Sequence, residues 1–213
     1  MAKIYVFLAD GCEEIEALTP VDILRRAGED VVTVSVMGRK EVTGSHGITV
    51  QADLRIEEGT FGDGDLLFLP GGMPGTLNLG ANELLKELIL SYNSEGKRLA
   101  AICAAPSVLG SLGVLEGKKA VCFPGFEDQL KGAEVLQVSA VTSGNVTTGR
   151  GMGAAVDFAL EVLTQLQGKD AAKQMAEKSF IRMPEEKRIR SRSAERLRKY
   201  CRIAVQPSRR AAD

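Results

Sequence analysis

Two short runs limit what this chain can fold into more than anything else in it. Leu66 to Leu69 (LLFL) and Arg98 to Ile102 (RLAAI) are almost unbroken apolar stretches of strand length. A strand with one face in water alternates polar and apolar residues; these two do not, so each needs cover on both faces. Helical patterns supply that cover at Glu13 to Ala27, closed by Gly28, and at Glu83 to Tyr92, Pro106 to Leu112, Gly153 to Gln167 and Lys169 to Lys178. Further strand-like runs stand at Lys3 to Ala9, Val31 to Met37, Val121 to Phe123, Val135 to Val138 and Val146 to Thr148, with a short extension at Ile48 to Gln51. Strands alternating with helices predict an α/β fold, a mostly parallel central sheet with helices on both sides.

The 213 residues suit one domain with an appendage. The appendage shows in the charge. Residues 187–213 carry ten Lys or Arg against two acids, a net +8, and the remaining residues 1–186 carry −9. We therefore divide the chain into a domain at 1–186 and a basic extension at 187–213. Such an extension could attract nucleic acid, but its one aromatic, Tyr200, gives little stacking, and a solvated arm is the simpler expectation. No apolar stretch approaches the roughly 18 residues of a bilayer span, and Ile4 to Ala9 is too short for a signal sequence, so a cytoplasmic chain without membrane contact is expected. Cys12, Cys103, Cys122 and Cys201 are widely spaced, as free thiols are, and the single histidine, His46, excludes any site that needs two imidazoles. No metal is expected.

In open sheets of this kind ligands collect at the carboxyl ends of the strands. Three loops fall there: Asp10 to Glu16, Pro70 to Gly75, and Ile102 to Pro106. Cys103 stands between a buried strand and a helix, among the small residues Ala101, Ala104 and Ala105 that a tight elbow needs. The amino end of the following helix should favour its thiolate, although many cysteines are simply small buried residues. Gly71-Gly72 lets backbone N–H groups approach a substrate oxygen, or else forms an ordinary turn. In Glu13-Glu14-Ile15-Glu16 most of the acids serve the helix dipole, but Glu16 has a pitch that turns it inward over the sheet end. A carboxyl sheltered there would hold its proton and could share it with a thiolate.

Four ordered blocks carry a resemblance: LADGCEEIEALTPVDILRRAG at 8–28, LPGGMPG at 69–75, AAICAAPSVLG at 100–110 and TTGRGMGAAVDFALEVL at 147–163. From Lys3 to about Pro184 the chain resembles the ThiJ/PfpI superfamily, in the branch of the parkinsonism-associated protein DJ-one and its bacterial homologues. The resemblance implies a flavodoxin-like three-layer sandwich and a homodimer. Cys103 would be the nucleophile at the elbow, Glu16 the protonated carboxyl beside it and Gly72 the N–H that faces it. It also implies a pocket bordered by Gly71, Ala104, Arg26, Phe123, Met152 and His46, with Arg26 and Met152 near the dimer interface. Ala104 stands where the protease branch has a histidine, which disfavours a Cys-His hydrolase. Phe123 stands before Pro124 where some relatives have histidine. The implied activity is that of a glyoxalase or deglycase using no cofactor, with a small aldehyde or a glycated protein as partner. The rival reading is an oxidative-stress sensor or redox-regulated chaperone in which the same cysteine is oxidised.

Overall fold

The computed structural model of the protein describes residues 1–182. In chain order its elements are β1 (Lys3–Leu8), α1 (Glu14–Arg26), β2 (Asp30–Ser35), β3 (Glu41–Thr43), β4 (Thr49–Gln51), β5 (Leu54–Arg55), β6 (Leu66–Leu69), α2 (Gly75–Ala81) and α3 (Glu83–Ser94). There follow β7 (Arg98–Ile102), α4 (Pro106–Ser111), β8 (Lys119–Ala120), β9 (Glu134–Val135), β10 (Ala140–Ser143), β11 (Val146–Gly149), α5 (Ala155–Gln167) and α6 (Lys169–Lys178).

Seven strands form one sheet in the order β10-β11-β7-β6-β1-β2-β5. Every neighbouring pair is parallel except β10 with β11. The two apolar runs lie in its middle, with Phe68 of β6 paired to Ala100 of β7 and to Val6 of β1. Alternation along each strand then divides the core between two faces. Tyr5, Phe7, Leu67, Leu69, Leu99 and Ala101 pack with Leu79, Leu85, Ile89 and Leu109 of α2, α3 and α4. On the opposite face Phe68 meets Phe158 of α5, their rings 5.2 Å apart, and α5 packs on α1 and α6. This is the flavodoxin-like sandwich that the sequence implied.

The differences have local causes. Val121 to Phe123 is not a strand: the Val121 N–H donates to Thr148 Oγ1 and the Phe123 N–H to the Cys103 carbonyl, so a side chain and a loop take the donors a ladder would use. Only Lys119–Ala120 pairs, with Glu134–Val135, which shortens the expected strand at Val135 to Val138. Helix α2 and strand β10 were not anticipated. The first is a seven-residue Gly-rich segment, and the second carries no buried residue to mark it.

Residues Met1–Phe180 form one compact unit. The basic extension at 187–213, with Tyr200 and Cys201, lies outside the described residues. Among the described residues no helix is long and apolar enough to cross a membrane.

Candidate active site

Cys103 follows β7 directly, and its backbone is left-handed, with φ at +66°. Only glycine visits that region freely, so such a cysteine marks a forced turn. The surroundings over-determine it. Its N–H donates to Gly149 O at 2.9 Å and its carbonyl accepts from the Phe123 N–H at 2.8 Å. Ala104 and Ala105 are buried with little room around them, and α4 starts at Pro106, whose missing N–H and fixed φ suit a first helical turn.

The loop after β6 closes on this elbow. A β-carbon at Gly71 would lie 2.5 Å from Cβ of Cys103 and 2.5 Å from Oε2 of Glu16, so glycine there lets the thiol and the carboxyl meet. Gly72 has φ +93°, and a β-carbon on it would strike the Glu13 nitrogen at 2.3 Å. Its N–H faces the Cys103 sulfur, as does that of Ala104. Glu16 arrives from the first turn of α1. Glu13 caps that helix by accepting from the Glu16 N–H at 2.7 Å, which fixes where the turn begins and hence where Glu16 points. The three loops therefore converge as expected.

Glu16 is 1% exposed, and no donor meets its Oε2 in hydrogen-bonding geometry. A buried carboxylate oxygen left this way is costly; a proton on the carboxyl, or a donor from a bound molecule, would satisfy it. Burial pushes the Glu16 carboxyl up to about 7, against the pull of Cys103 and of the Gly71 and Met152 amides, and the charge of Glu13 pushes it further up. Burial also pushes the Cys103 thiol up to about 12, and the negative charge of Glu16 adds to it, opposed by the Gly72 and Ala104 amides. The backbone N–H groups expected to favour a thiolate are in place, and burial opposes them. Helix α4 has only six residues, so the two amides at the elbow are the donors that bear on the sulfur. The two acids titrate as a pair, and the sulfur is the anion when Glu16 holds the shared proton.

The other anticipated residues divide. Gly71, Ala104, Phe123 and Met152 gather here. Phe123 is 47% exposed, its ring 3.2 Å from the β-carbon position of Gly151, which is itself 3.8 Å from Glu16 Oε1. Met152 is half-exposed, and its amide faces Glu16. Arg26 does not join them within the chain. It sits ten residues beyond Glu16 on α1, about 15 Å along the helix at about 1.5 Å per residue, and pairs with Asp22 at 2.7 Å. His46 also goes elsewhere: its Nδ1 meets Glu14 Oε2 at 2.9 Å, not Glu16 or Cys103. Cys12 and Cys122 are buried, and burial pushes both thiols up to about 11.

Glu14 is the residue that sequence reasoning passed over. It is 6% exposed, and its carboxylate accepts from the His46 N–H at 2.7 Å and the Ile48 N–H at 3.4 Å as well as meeting the His46 ring. Burial alone would raise it, but those donors together hold it down to about 2. Glu13, Glu14 and His46 bring three potential ligand atoms within 4.8 Å of one another, yet the His46 ring and Glu14 already satisfy each other there.

A mostly parallel sheet of this order, with a cysteine on a left-handed elbow and a buried carboxyl against it, defines a flavodoxin-like α/β protein. The DJ-1/PfpI family model matches residues 2–165, and the chain belongs to the DJ-1/PfpI family. Protein DJ-1 homolog B of Arabidopsis thaliana is 37% identical over 172 residues, covering 80% of this chain and 39% of its own length, so the chain spans well under half of that relative. A deglycase of Pyrococcus abyssi is 37% identical over 151 residues, 70% of this chain and 89% of that one. Among solved structures, oxidized DJ-1 of Toxoplasma gondii superposes with a TM-score of 0.83 at 35% identity, covering 86% of this chain and all of that one.

Proposed function

We propose that this chain is a cytoplasmic, cofactor-independent enzyme of the glyoxalase or deglycase type, acting on α-oxoaldehydes such as methylglyoxal or on their protein adducts. The observation that carries the reading is the buried Glu16 Oε2, without a donor, against the Cys103 elbow. That arrangement passes one proton between a thiol and a carboxyl, and both partners are needed for the reaction.

With the proton on Glu16, the Cys103 thiolate adds to the aldehyde carbon, forming a C–S bond, and the aldehyde oxygen takes the Glu16 proton to give a hemithioacetal. Glu16, now a carboxylate, removes the proton from the former aldehyde carbon and returns it to the adjacent carbon through an enediol, while the Gly72 and Ala104 amides, which face the sulfur, are near enough to donate to an oxygen on the carbon bonded to it. The product of that shift is a thioester of the 2-hydroxy acid. Water cleaves its C–S bond, returning the thiol; the sum is one methylglyoxal and one water to one lactate and one proton. The name of the Pyrococcus relative is consistent with this class of chemistry.

Purified protein incubated with methylglyoxal in the absence of glutathione should release lactate. Cys103→Ala should abolish the release, and Glu16→Gln should lower it by at least about 100-fold, the usual worth of a positioned acid or base. No lactate from intact, reduced protein would overturn the assignment. The second reading is a peroxide sensor. The same amides and a protonated Glu16 offer donors to the oxygens of a sulfinate, which the Cys103 thiolate would form with two equivalents of hydrogen peroxide and release of two waters. A homodimer fits either reading. Ile15 and Leu18 of α1 and Ile48 are exposed apolar residues near the site loops, and sedimentation at micromolar concentration should find a species of twice the chain mass.

A further inference from the structure

The residues around Cys103 and Glu16 are asymmetric in character. On one side stand carboxylates, with the charge of Glu13 acting on Glu16. On the other stand Phe123 and Met152, both half-exposed and both apolar. Phe123 is held by its backbone, not by burial of its ring. Its N–H donates to the carbonyl of Cys103 itself, and its own carbonyl accepts from the Phe126 N–H at 3.2 Å. Glu127 accepts from the Gly125 N–H at 2.6 Å and braces the same turn. The ring leans over Gly151, where a β-carbon would make a tight contact with it at 3.2 Å. Half-exposed aromatic rings are usually free to move away from a neighbouring site; here the main chain that carries the ring is tied to the main chain that carries the sulfur.

We propose that Phe123 is a specificity-determining residue, and that the site prefers neutral α-oxoaldehydes bearing an apolar, above all aromatic, group on the ketone carbon. The inference rests on the catalytic reading above and names its substrate class. Once the aldehyde carbon is bonded to sulfur and the oxygens face the amides and Glu16, the substituent leaves along the free direction, between Phe123 and Met152. An aromatic substituent gains contact with a ring and a thioether there. A carboxylate substituent gains no such contact with the ring or the thioether. Phenylglyoxal, converted with one water to mandelate and a proton by the same steps, is the probe of choice, with methylglyoxal as the small reference.

Intrinsic reactivity differs between the two aldehydes, so the readout is the ratio of their kcat/KM values, compared between the wild type and two variants, Phe123→Ala and Phe123→Leu. The ratio of phenylglyoxal to methylglyoxal should fall about five- to tenfold in Phe123→Ala, and less in Phe123→Leu, which keeps apolar bulk without the ring. A second measurement needs no turnover: rates of Cys103 alkylation by N-benzyl-iodoacetamide and by iodoacetamide, followed by intact mass, with their ratio falling in the same order. A fall in the alkylation ratio from a wild type that makes neither lactate nor mandelate would leave the apolar mouth standing and remove the catalytic reading beneath it. Ratios unchanged within twofold in Phe123→Ala would overturn the proposal. Thermal unfolding of the variants within about 2 °C of the wild type is expected, since the ring lies outside the core.

Discussion

Cys103 holds a left-handed backbone at a cost of roughly 1–2 kcal/mol for any residue with a β-carbon. Part of that cost is recoverable. Cys103→Gly should be more stable to urea than Cys103→Ala by about 0.5–1 kcal/mol, the strain relieved less the extra freedom glycine has when unfolded; equal stabilities would mean the turn is not strained. Gly72→Ala meets both a positive φ and backbone atoms within 2.7 Å, and should destabilise by about 2–4 kcal/mol and abolish activity with it. At this scale the sequence was informative where chemistry and position coincide. A cysteine, a glycine pair and an acid, each just past an apolar run, placed Cys103, Gly71, Gly72 and Glu16 together. It was uninformative on how Glu13, Glu14 and Glu16 divide their tasks. Glu13 caps and Glu16 faces the thiol, but Glu14 is buried by backbone amides 32 and 34 positions away, which no local pattern marks.

The element that supplies those amides is the β3–β4 hairpin. Its Gly44–Ile48 segment is fastened to α1 by Glu14, and its Ser45 N–H donates to the Cys12 carbonyl at 2.8 Å, so the hairpin buttresses the turn from which Glu16 projects. The carboxylate of Glu14, held at about 2, contributes stability above the unfolded value of about 4.3 and loses it as pH falls through 4 towards 2. His46 is raised by Glu14, so its share is present below about 6.5 and is lost as pH climbs past its folded value. The stability difference between wild type and Glu14→Gln should therefore be widest between about pH 4.5 and 6.5, on the order of 2 kcal/mol from the carboxylate, and should narrow on both sides. Urea midpoints measured from pH 2.5 to 9 would test this, and a difference flat across that range would refute the clamp. Of the helices, α1, α3 and α5 were legible from apolar residues at helical spacing, α4 from the proline at its start, and α6 from its run of helix-forming residues. Helix α2 was hidden by its glycines, and Val121 to Phe123 misled because an apolar run reads as a strand whether its amides pair with a neighbouring strand or with Thr148 and Cys103.

The whole molecule is held by two cores, one on each side of the sheet, and the side under α5 bears on the elbow. Phe158 is fully buried and packs on Phe68, while Gly149, the acceptor for the Cys103 N–H, lies between its ring and Ile102. Phe158→Ala should cost about 3–5 kcal/mol and depress turnover beyond what partial unfolding explains, because the cavity opens directly beneath β7. Full activity per folded molecule would show that the elbow holds without that support. The architecture was readable because two strands buried on both faces leave few alternatives; the order of the outer strands was not, since β5 is two residues long and β10 carries no buried residue, so both draw their pairing from the sheet rather than from their own sequence. Those outer strands have a bearing on concentrated solutions. One margin of the sheet ends in Leu54–Arg55 and the other in a four-residue strand folded back on β11, so a neighbouring copy finds almost no free backbone to zip onto. Heated samples should clump without order, silent to thioflavin, instead of growing into fibres.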